Sequence, residues 1–191
     1  MNIGVFGGTF DPPHIGHLIV AEHAREELGL NKILFIPSAI SPHKQDHHLS
    51  EPQFRLEMVH LAVLGHTFFE PSDVEIKRGG VSYTVDTLRK LKEIHPGVSL
   101  TLLVGLDNLA EFNAWKSPDI IFQLASVAVM TRPGFKCYGN ESSKKFILCK
   151  VPDIEVSSSD IRERFRNGKS IRFLVPKAVE SYINYRGLYA K

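Results

Sequence analysis

Leu100–Val104 and Val127–Met130 are apolar at nearly every position, and each is as long as a strand rather than a helix. A strand that is apolar on both faces has to be covered on both, the condition of a central strand in a parallel sheet flanked by helices. Other strand-length runs, Ile3–Phe6, Lys32–Ile36 and Phe146–Val151, alternate with stretches of helical spacing. The spacing predicts helices over His14–Leu28, stopped by Gly29, and over Thr84–His95, stopped by Pro96-Gly97. Another begins at Ser50, a cap with Gln53 three residues on, and places Phe54, Met58, Leu61 and Ala62 on one face before Gly65. Pro118–Leu124, Ser158–Asn167 before Gly168, and Pro176–Tyr185 complete the helical set. Phe68–Ile76 is predicted extended, with a Gly79-Gly80 turn after it, and 132–145 is predicted as a surface loop.

Strands alternating with helices in this way predict an α/β fold with an open parallel sheet and helices on both faces. No repeat or long linker divides the chain, so 1–191 is expected to be one domain. Ligands in such sheets bind beyond the carboxyl ends of the strands, where strand order reverses, which directs attention to 7–13, 37–49, 105–108 and 131–135. A net charge of +2 gives no footprint for nucleic acid. The start of the chain lacks the basic segment of a secretory signal, and no apolar run approaches the ~20 residues that span a bilayer, so a cytoplasmic protein without a membrane partner is expected. Cys137 and Cys149 match neither metal-ligand spacing nor a disulfide framework, and they receive no role; His47 and His48 are taken as surface residues.

The chemistry concentrates after the first strand, in Gly7-Gly8-Thr9-Phe10-Asp11-Pro12-Pro13-His14-Ile15-Gly16-His17. Glycines directly after a strand allow close backbone approach by a ligand, and the following helix start offers free N–H groups to a phosphate. His14 and His17 share a helix face, with Gly16 leaving that surface open. From the residues alone, three readings stand together: a phosphate seat, a tight turn with two ordinary polar histidines, and half of a zinc site whose remaining ligands do not follow at metal spacing. A second element, Val156-Ser157-Ser158-Ser159-Asp160-Ile161-Arg162, starts a helix, Ser157 and Asp160 forming an approximate capping box. It is either a plain capped helix with Arg162 in water, or a cluster of hydroxyls, N–H groups and a guanidinium fork facing phosphate.

The first string resembles the G-x-F-D-P-x-H-x-G-H motif of the nucleotidyltransferases that share the H-x-G-H element. The second resembles their I-S-S-T-x-x-R element, with Val156 and Ser159 as departures. His14–His17 also spells a motif of class I aminoacyl-tRNA synthetases, but this chain has no K-M-S-K-S element. Pro42-His43-Lys44, Gly80 to Leu88, Gly105-Leu106-Asp107 with Trp115, Arg132-Pro133-Gly134 and Leu174-Val175-Pro176 are similar to the bacterial nicotinate-mononucleotide adenylyltransferases. The resemblance covers nearly all of the chain.

It implies a Rossmann-like fold of the nucleotidyltransferase type, with C-terminal helices from about 157 to 191 completing the ATP site. It implies transfer of an adenylyl group from ATP to nicotinate mononucleotide, with nicotinate adenine dinucleotide and pyrophosphate as products, in NAD biosynthesis. His14, His17, Lys44 and Arg162 would be catalytic. Gly7, Gly8, Thr9 and Phe10 would hold ATP with the two histidines; Gly105, Asp107 and Arg132 would surround the adenosine, and Ser157, Ser158, Ser159 and Arg162 the outer phosphates. Lys44, Ser82, Tyr83, Thr84 and Trp115 would hold the nicotinate mononucleotide, with 38–49 as the loop that closes. Read without the family, Lys44 is equally a solvated loop charge, Ser82 and Thr84 are helix caps, and Trp115 is a core residue. Mg²⁺ would arrive with ATP and no protein metal site is expected. A homodimer is compatible with this size. Other readings remain: a transferase acting on phosphopantetheine or on the amidated mononucleotide, a nucleotide-binding regulatory module, and an RNA-handling synthetase fragment.

Overall fold

The computed structural model describes residues 1–42, 49–131 and 145–190. The first half of the chain runs β1 (Asn2–Gly8), α1 (Ile15–Glu27), β2 (Lys32–Pro37), α2 (Pro52–Val63), β3 (Phe69–Pro71), α3 (Val74–Arg78) and α4 (Thr84–Ile94). Then follow β4 (Ser99–Gly105), α5 (Leu106–Leu109), α6 (Pro118–Leu124), β5 (Ser126–Thr131), β6 (Phe146–Lys150), α7 (Ser158–Arg166) and α8 (Lys177–Arg186), with a short 3₁₀ turn at Phe112–Ala114.

The six strands are all parallel and lie in the order β3-β2-β1-β4-β5-β6. This is the doubly wound Rossmann-like order, and its reversal falls between β1 and β4. Side chains alternate across the strands with period two, which divides the core between the faces. Ile3, Val5, Leu34, Ile36, Leu102 and Val104 face α4 and α6 through Val85, Leu88 and Ile121. Phe6, Ile33, Phe35 and Leu103 face α1 and α2 through Ala21, Ala24 and Val59. The second face of α2, Met58 and Ala62, carries a further layer made by Ile161 of α7 and Val179 and Ile183 of α8. That layer brings the C-terminal helices back over the end of the sheet where β1 emerges.

Three elements differ from expectation. Glu51, not Ser50, is the N-cap of α2, Pro52 starts the helix, and the cap side chain makes no hydrogen bond. Ser50 is instead recruited through its backbone: its N–H donates to Asp11 Oδ2 at 3.1 Å and its carbonyl accepts from Arg55 Nε at 2.9 Å. The stretch 68–76 is extended only over Phe69–Pro71, because Pro71 and the polar Ser72-Asp73 pair end the strand and α3 begins at Val74. Gly79 and Gly80 both adopt positive φ, so the turn after α3 does require glycine. β6 lies at the sheet edge, which leaves Ile147 and Leu148 exposed although the run is apolar. The loop expectation for 132–145 lies almost wholly outside the described residues. No helix among the described residues is long and apolar enough to cross a membrane.

Candidate active site

A cavity of about 550 Å³ opens at the carboxyl ends of β1 and β4, where strand order reverses. Gly7 and Gly8 close β1 and line it together with Thr9, and Gly105 and Asp107 line it from the end of β4 and the start of α5. A methyl group built on Gly7 would meet nothing within 4 Å, so glycine there keeps the strand backbone open to the cavity. At Gly8 the same methyl would lie 3.0–3.3 Å from the Phe10 ring.

Phe10, expected against ATP, keeps its ring away from the cavity lining. Its side chain is 2 % exposed and packs edge-on against Phe6 and His17, inside the core rather than along the cavity. Its φ of 51° places it in the left-handed region and reverses the chain after β1.

His14 is the N-cap residue of α1, and His17 lies one turn on. Their rings stack with centroids 3.6 Å apart, and both line the cavity. The His14 N–H donates to His17 Nδ1 at 3.1 Å. An accepting Nδ1 carries no proton, so the His17 ring presents its N–H at Nε2. Burial lowers the His14 pKa to about 4, which keeps that imidazole neutral near neutral pH. Its Nδ1 is buried and, apart from the His17 N–H that faces the ring in a capping box, finds no hydrogen-bond partner among the described residues. A buried orphan nitrogen on a cavity wall is a group that a ligand oxygen can satisfy. Gly16 makes room for this arrangement, since a Cβ there would lie 3.1 Å from the His14 ring. Among the described residues no cluster of metal-ligating side chains forms, so the half-zinc reading of the histidine pair gains no further ligand.

At its other end the cavity shares Pro42, Ser82, Thr84 and Trp115 with a side pocket of about 230 Å³, which Tyr83 and Lys116 also line. Ser82 and Thr84 are not helix caps. Ser82 Oγ accepts the Ala39 N–H at 2.9 Å and so ties the 38–42 segment to the start of α4. Tyr83 takes the N-cap position and Thr84 is the first helical residue. Trp115 packs on Phe112 with one face of its environment in the core and lines both pockets. The expected acceptor residues are therefore gathered around one opening, apart from Lys44, which lies outside the described residues, as does Arg132 on the adenosine side.

The serine-rich element meets the first loop without lining the main cavity. Ser157 Oγ accepts the Asp160 N–H as the cap of α7, and Ser158 Oγ donates to the Pro12 carbonyl at 2.8 Å. Arg162 donates through Nη1 to the Asp11 carbonyl at 2.8 Å and through Nη2 to Ser159 Oγ at 3.4 Å. All three serine hydroxyls thus have partners within the chain, two of them on backbone groups. The Arg162 Nε is buried and has no partner among the described residues.

Sequence reasoning missed the residues that fix the loop. Arg55 is 2 % exposed and donates to the carbonyls of Thr9, Ser38, Ala39 and Ser50 at 2.6–3.2 Å. Burial pulls its guanidinium below its ordinary pKa, opposed by Asp11, Tyr189 and Glu75. The available signal was an arginine set among Phe54, Leu56 and Met58 on an otherwise inward-facing helix. Glu75, expected to lie in a strand, lines the cavity and accepts a 2.6 Å hydrogen bond from Thr87 Oγ1.

Comparison with known proteins places this arrangement. Residues 5–164 match the family model described as cytidylyltransferase-like. A protein of Geobacillus thermodenitrificans named "Probable nicotinate-nucleotide adenylyltransferase" is 43% identical over 98% of this chain and 85% of its own length. A protein of the same name from Salinibacter ruber is 41% identical over 99% of this chain and 98% of its own. Among solved structures, the nicotinic acid mononucleotide adenylyltransferase of Plasmodium falciparum complexed with NaAD superimposes with a TM-score of 0.77. It is 21% identical and the match covers 98% of this chain and 97% of that one, a likeness of fold. The cavity at the strand-order reversal, the stacked histidine pair on its wall and these relatives agree: the chain belongs to the cytidylyltransferase-like family, among the nicotinate-nucleotide adenylyltransferases.

Proposed function

We propose that the protein transfers the adenylyl group of ATP to nicotinate mononucleotide, releasing pyrophosphate and forming nicotinate adenine dinucleotide. The observation that carries this reading is one continuous cavity at the sheet's reversal point. Its one end has glycine backbone and two imidazoles, and its other end has Ser82, Thr84 and an indole. The names of the relatives given above support the same reading.

In this reaction an oxygen of the acceptor phosphate attacks the α-phosphorus, a new P–O bond forms, and the bond to the β-phosphate oxygen breaks. The acceptor phosphate is already an anion at neutral pH, so no strong base is needed. Rate comes from aligning two polyanions and stabilising charge as pyrophosphate leaves. His17 donates from Nε2 toward the α-phosphate, and His14 supplies a second neutral imidazole whose orphan Nδ1 can be satisfied there. Gly7 and Gly8 allow the triphosphate to lie against the backbone. Arg162, seated on the Asp11 carbonyl, takes the outer phosphates with the Ser157–Ser159 turn, and Asp107 the ribose. The indole of Trp115 stacks on the pyridine ring, with Thr84 and Ser82 on its carboxylate side. Lys44 and Arg132 are assigned to the acceptor phosphate and the adenosine.

Mg²⁺ would come with ATP as part of the substrate and would supply charge neutralisation for the leaving pyrophosphate. No metal-ligand cluster of the chain is needed for that. Residues 1–191 act as one unit in which 157–191 complete the ATP site, a role supported by the bonds from Ser158 to Pro12 and from Arg162 to Asp11. The proposal is of a cytoplasmic enzyme acting on free nucleotides, with homodimerisation compatible with it.

The test is pyrophosphate release from MgATP with nicotinate mononucleotide, beside nicotinamide mononucleotide and phosphopantetheine. A strong preference for the nicotinate acceptor, with turnover lowered ~100-fold or more in His17→Ala, is the expected outcome. Turnover with phosphopantetheine alone would overturn the assignment of Thr84 and Trp115. ATP binding without turnover on any acceptor would replace the transferase with a regulatory module.

A further inference from the structure

Asp11 is fully buried, yet it belongs to none of the substrate contacts assigned above. Its Oδ1 accepts a 2.6 Å hydrogen bond from the Tyr189 hydroxyl, and its Oδ2 accepts the Ser50 N–H at 3.1 Å. Its own carbonyl is the seat of Arg162. One residue therefore joins three parts of the molecule: the loop after β1, the chain entering α2, and the segment after α8. Burying a carboxyl group is costly unless its oxygens are satisfied, and here each oxygen has a partner. Tyr189 supplies one of them from 178 residues away.

The tyrosine is held for that task. Its φ of 64° is left-handed, a strained conformation for a side-chain-bearing residue that persists only where surroundings impose it. Its ring packs edge-on against Phe165 of α7, one turn from Arg162, with centroids 6.4 Å apart. Burial and the neighbouring Asp11 both push the phenol's pKa upward, so the hydroxyl remains a donor throughout any working pH. A phenylalanine would fill the same space and pack against the same ring. What only tyrosine adds is the hydroxyl, bonded to Asp11 at 2.6 Å and 3.8 Å from Met58 Sδ.

We propose that Tyr189 is a positioning residue for the triphosphate site: its hydroxyl fixes Asp11, and the Asp11 carbonyl in turn sets the Arg162 guanidinium. This rests on the adenylyl-transfer reading for what Arg162 touches. The same carboxyl group also holds the Ser50 N–H at the entry to α2.

The experiment is a double-mutant cycle of Tyr189→Phe with Arg162→Ala, read in MgATP affinity by titration and in kcat with nicotinate mononucleotide. In the parent enzyme Tyr189→Phe should weaken MgATP binding or lower kcat by about ten-fold, the size of a lost hydrogen bond to a charged group. In the Arg162→Ala background the same change should cost less than about two-fold, because the group it positions is gone. Equal losses in both backgrounds, or no loss in the parent, would overturn the proposal, since a merely structural tyrosine acts additively. If the parent binds MgATP but does not turn over nicotinate mononucleotide, the functional reading fails while the coupling measured in MgATP affinity still decides the role of Tyr189.

Discussion

His14 ties the electrostatics of the site to a measurable stability. In the folded protein its pKa is lowered from 6.5 to about 4 because burial disfavours the charged ring. In the unfolded chain the ring is solvated and takes up its proton near 6.5. Between those values the unfolded state binds the extra proton, so folding stability falls as pH falls through the window and is unaffected above it. The whole shift corresponds to about 3 kcal/mol, and between about pH 7 and about pH 5 to about 2 kcal/mol. The perturbation is His14→Asn, which keeps a polar N-cap for α1 and removes the titrating group. Urea denaturation of both proteins at the two pH values gives the answer as a difference of differences, in which every other titrating group cancels. The parent should lose about 2 kcal/mol more than the variant. Parallel losses, within about 0.5 kcal/mol, would refute the burial argument and with it the neutral imidazole assigned to the resting site. The same linkage predicts proton uptake when MgATP binds near pH 6, because a polyanion beside a neutral histidine favours its protonation.

Three further outcomes follow from the geometry. Gly7→Ala should leave thermal stability unchanged or slightly raised, as alanine is worth about 0.5–1 kcal/mol over glycine in a strand, while the KM for MgATP rises; a normal KM would remove Gly7 from the triphosphate path. Arg55→Met should destabilise by about 3–5 kcal/mol in urea unfolding, because four carbonyls lose a buried donor and the Asp11 carboxyl a neighbouring positive charge, and a cost near zero would show that water replaces the guanidinium. Trp115→Ala should raise the KM for the nicotinate acceptor up to about ten-fold with little change in that for MgATP, the signature of lost ring stacking; equal effects on both substrates would mean that Trp115 serves the core instead.

The sheet was legible because its signal is local. β4 and β5 are apolar on both faces, and nothing but a central position in the sheet explains that. The loop after β1 was legible because glycines, a helix start and paired histidines fall within one short string. The expected capping box at Ser50 failed for a tertiary reason: its backbone N–H and carbonyl are taken by Asp11 and Arg55, and Pro52 sets the helix start. Phe10 and Ser158 sit in motif strings, but string position does not say which way a side chain points. One lies in the aromatic core and the other holds the Pro12 carbonyl. The Asp11–Tyr189 bond spans 178 residues and leaves no periodicity to read.

That long-range bond bears on how a parallel sheet becomes a transferase. The reversal between β1 and β4 supplies a crevice with glycine at its floor, but a loop carrying His14 and His17 is only as well placed as its own anchors. Here the anchors are carbonyls. Arg55 holds Thr9, Arg162 holds Asp11, Ser158 holds Pro12, and the Ile15 N–H donates to the Leu174 carbonyl at 2.9 Å. Three of these four bonds come from the layer formed by α7, α8 and their connection, which the apolar contacts of Ile161, Val179 and Ile183 fix on α2. A reaction accelerated mainly by alignment is sensitive to displacements of about 1 Å at the reacting atoms. The core between α2 and α8 therefore belongs to the catalytic apparatus even though none of its residues reaches the cavity.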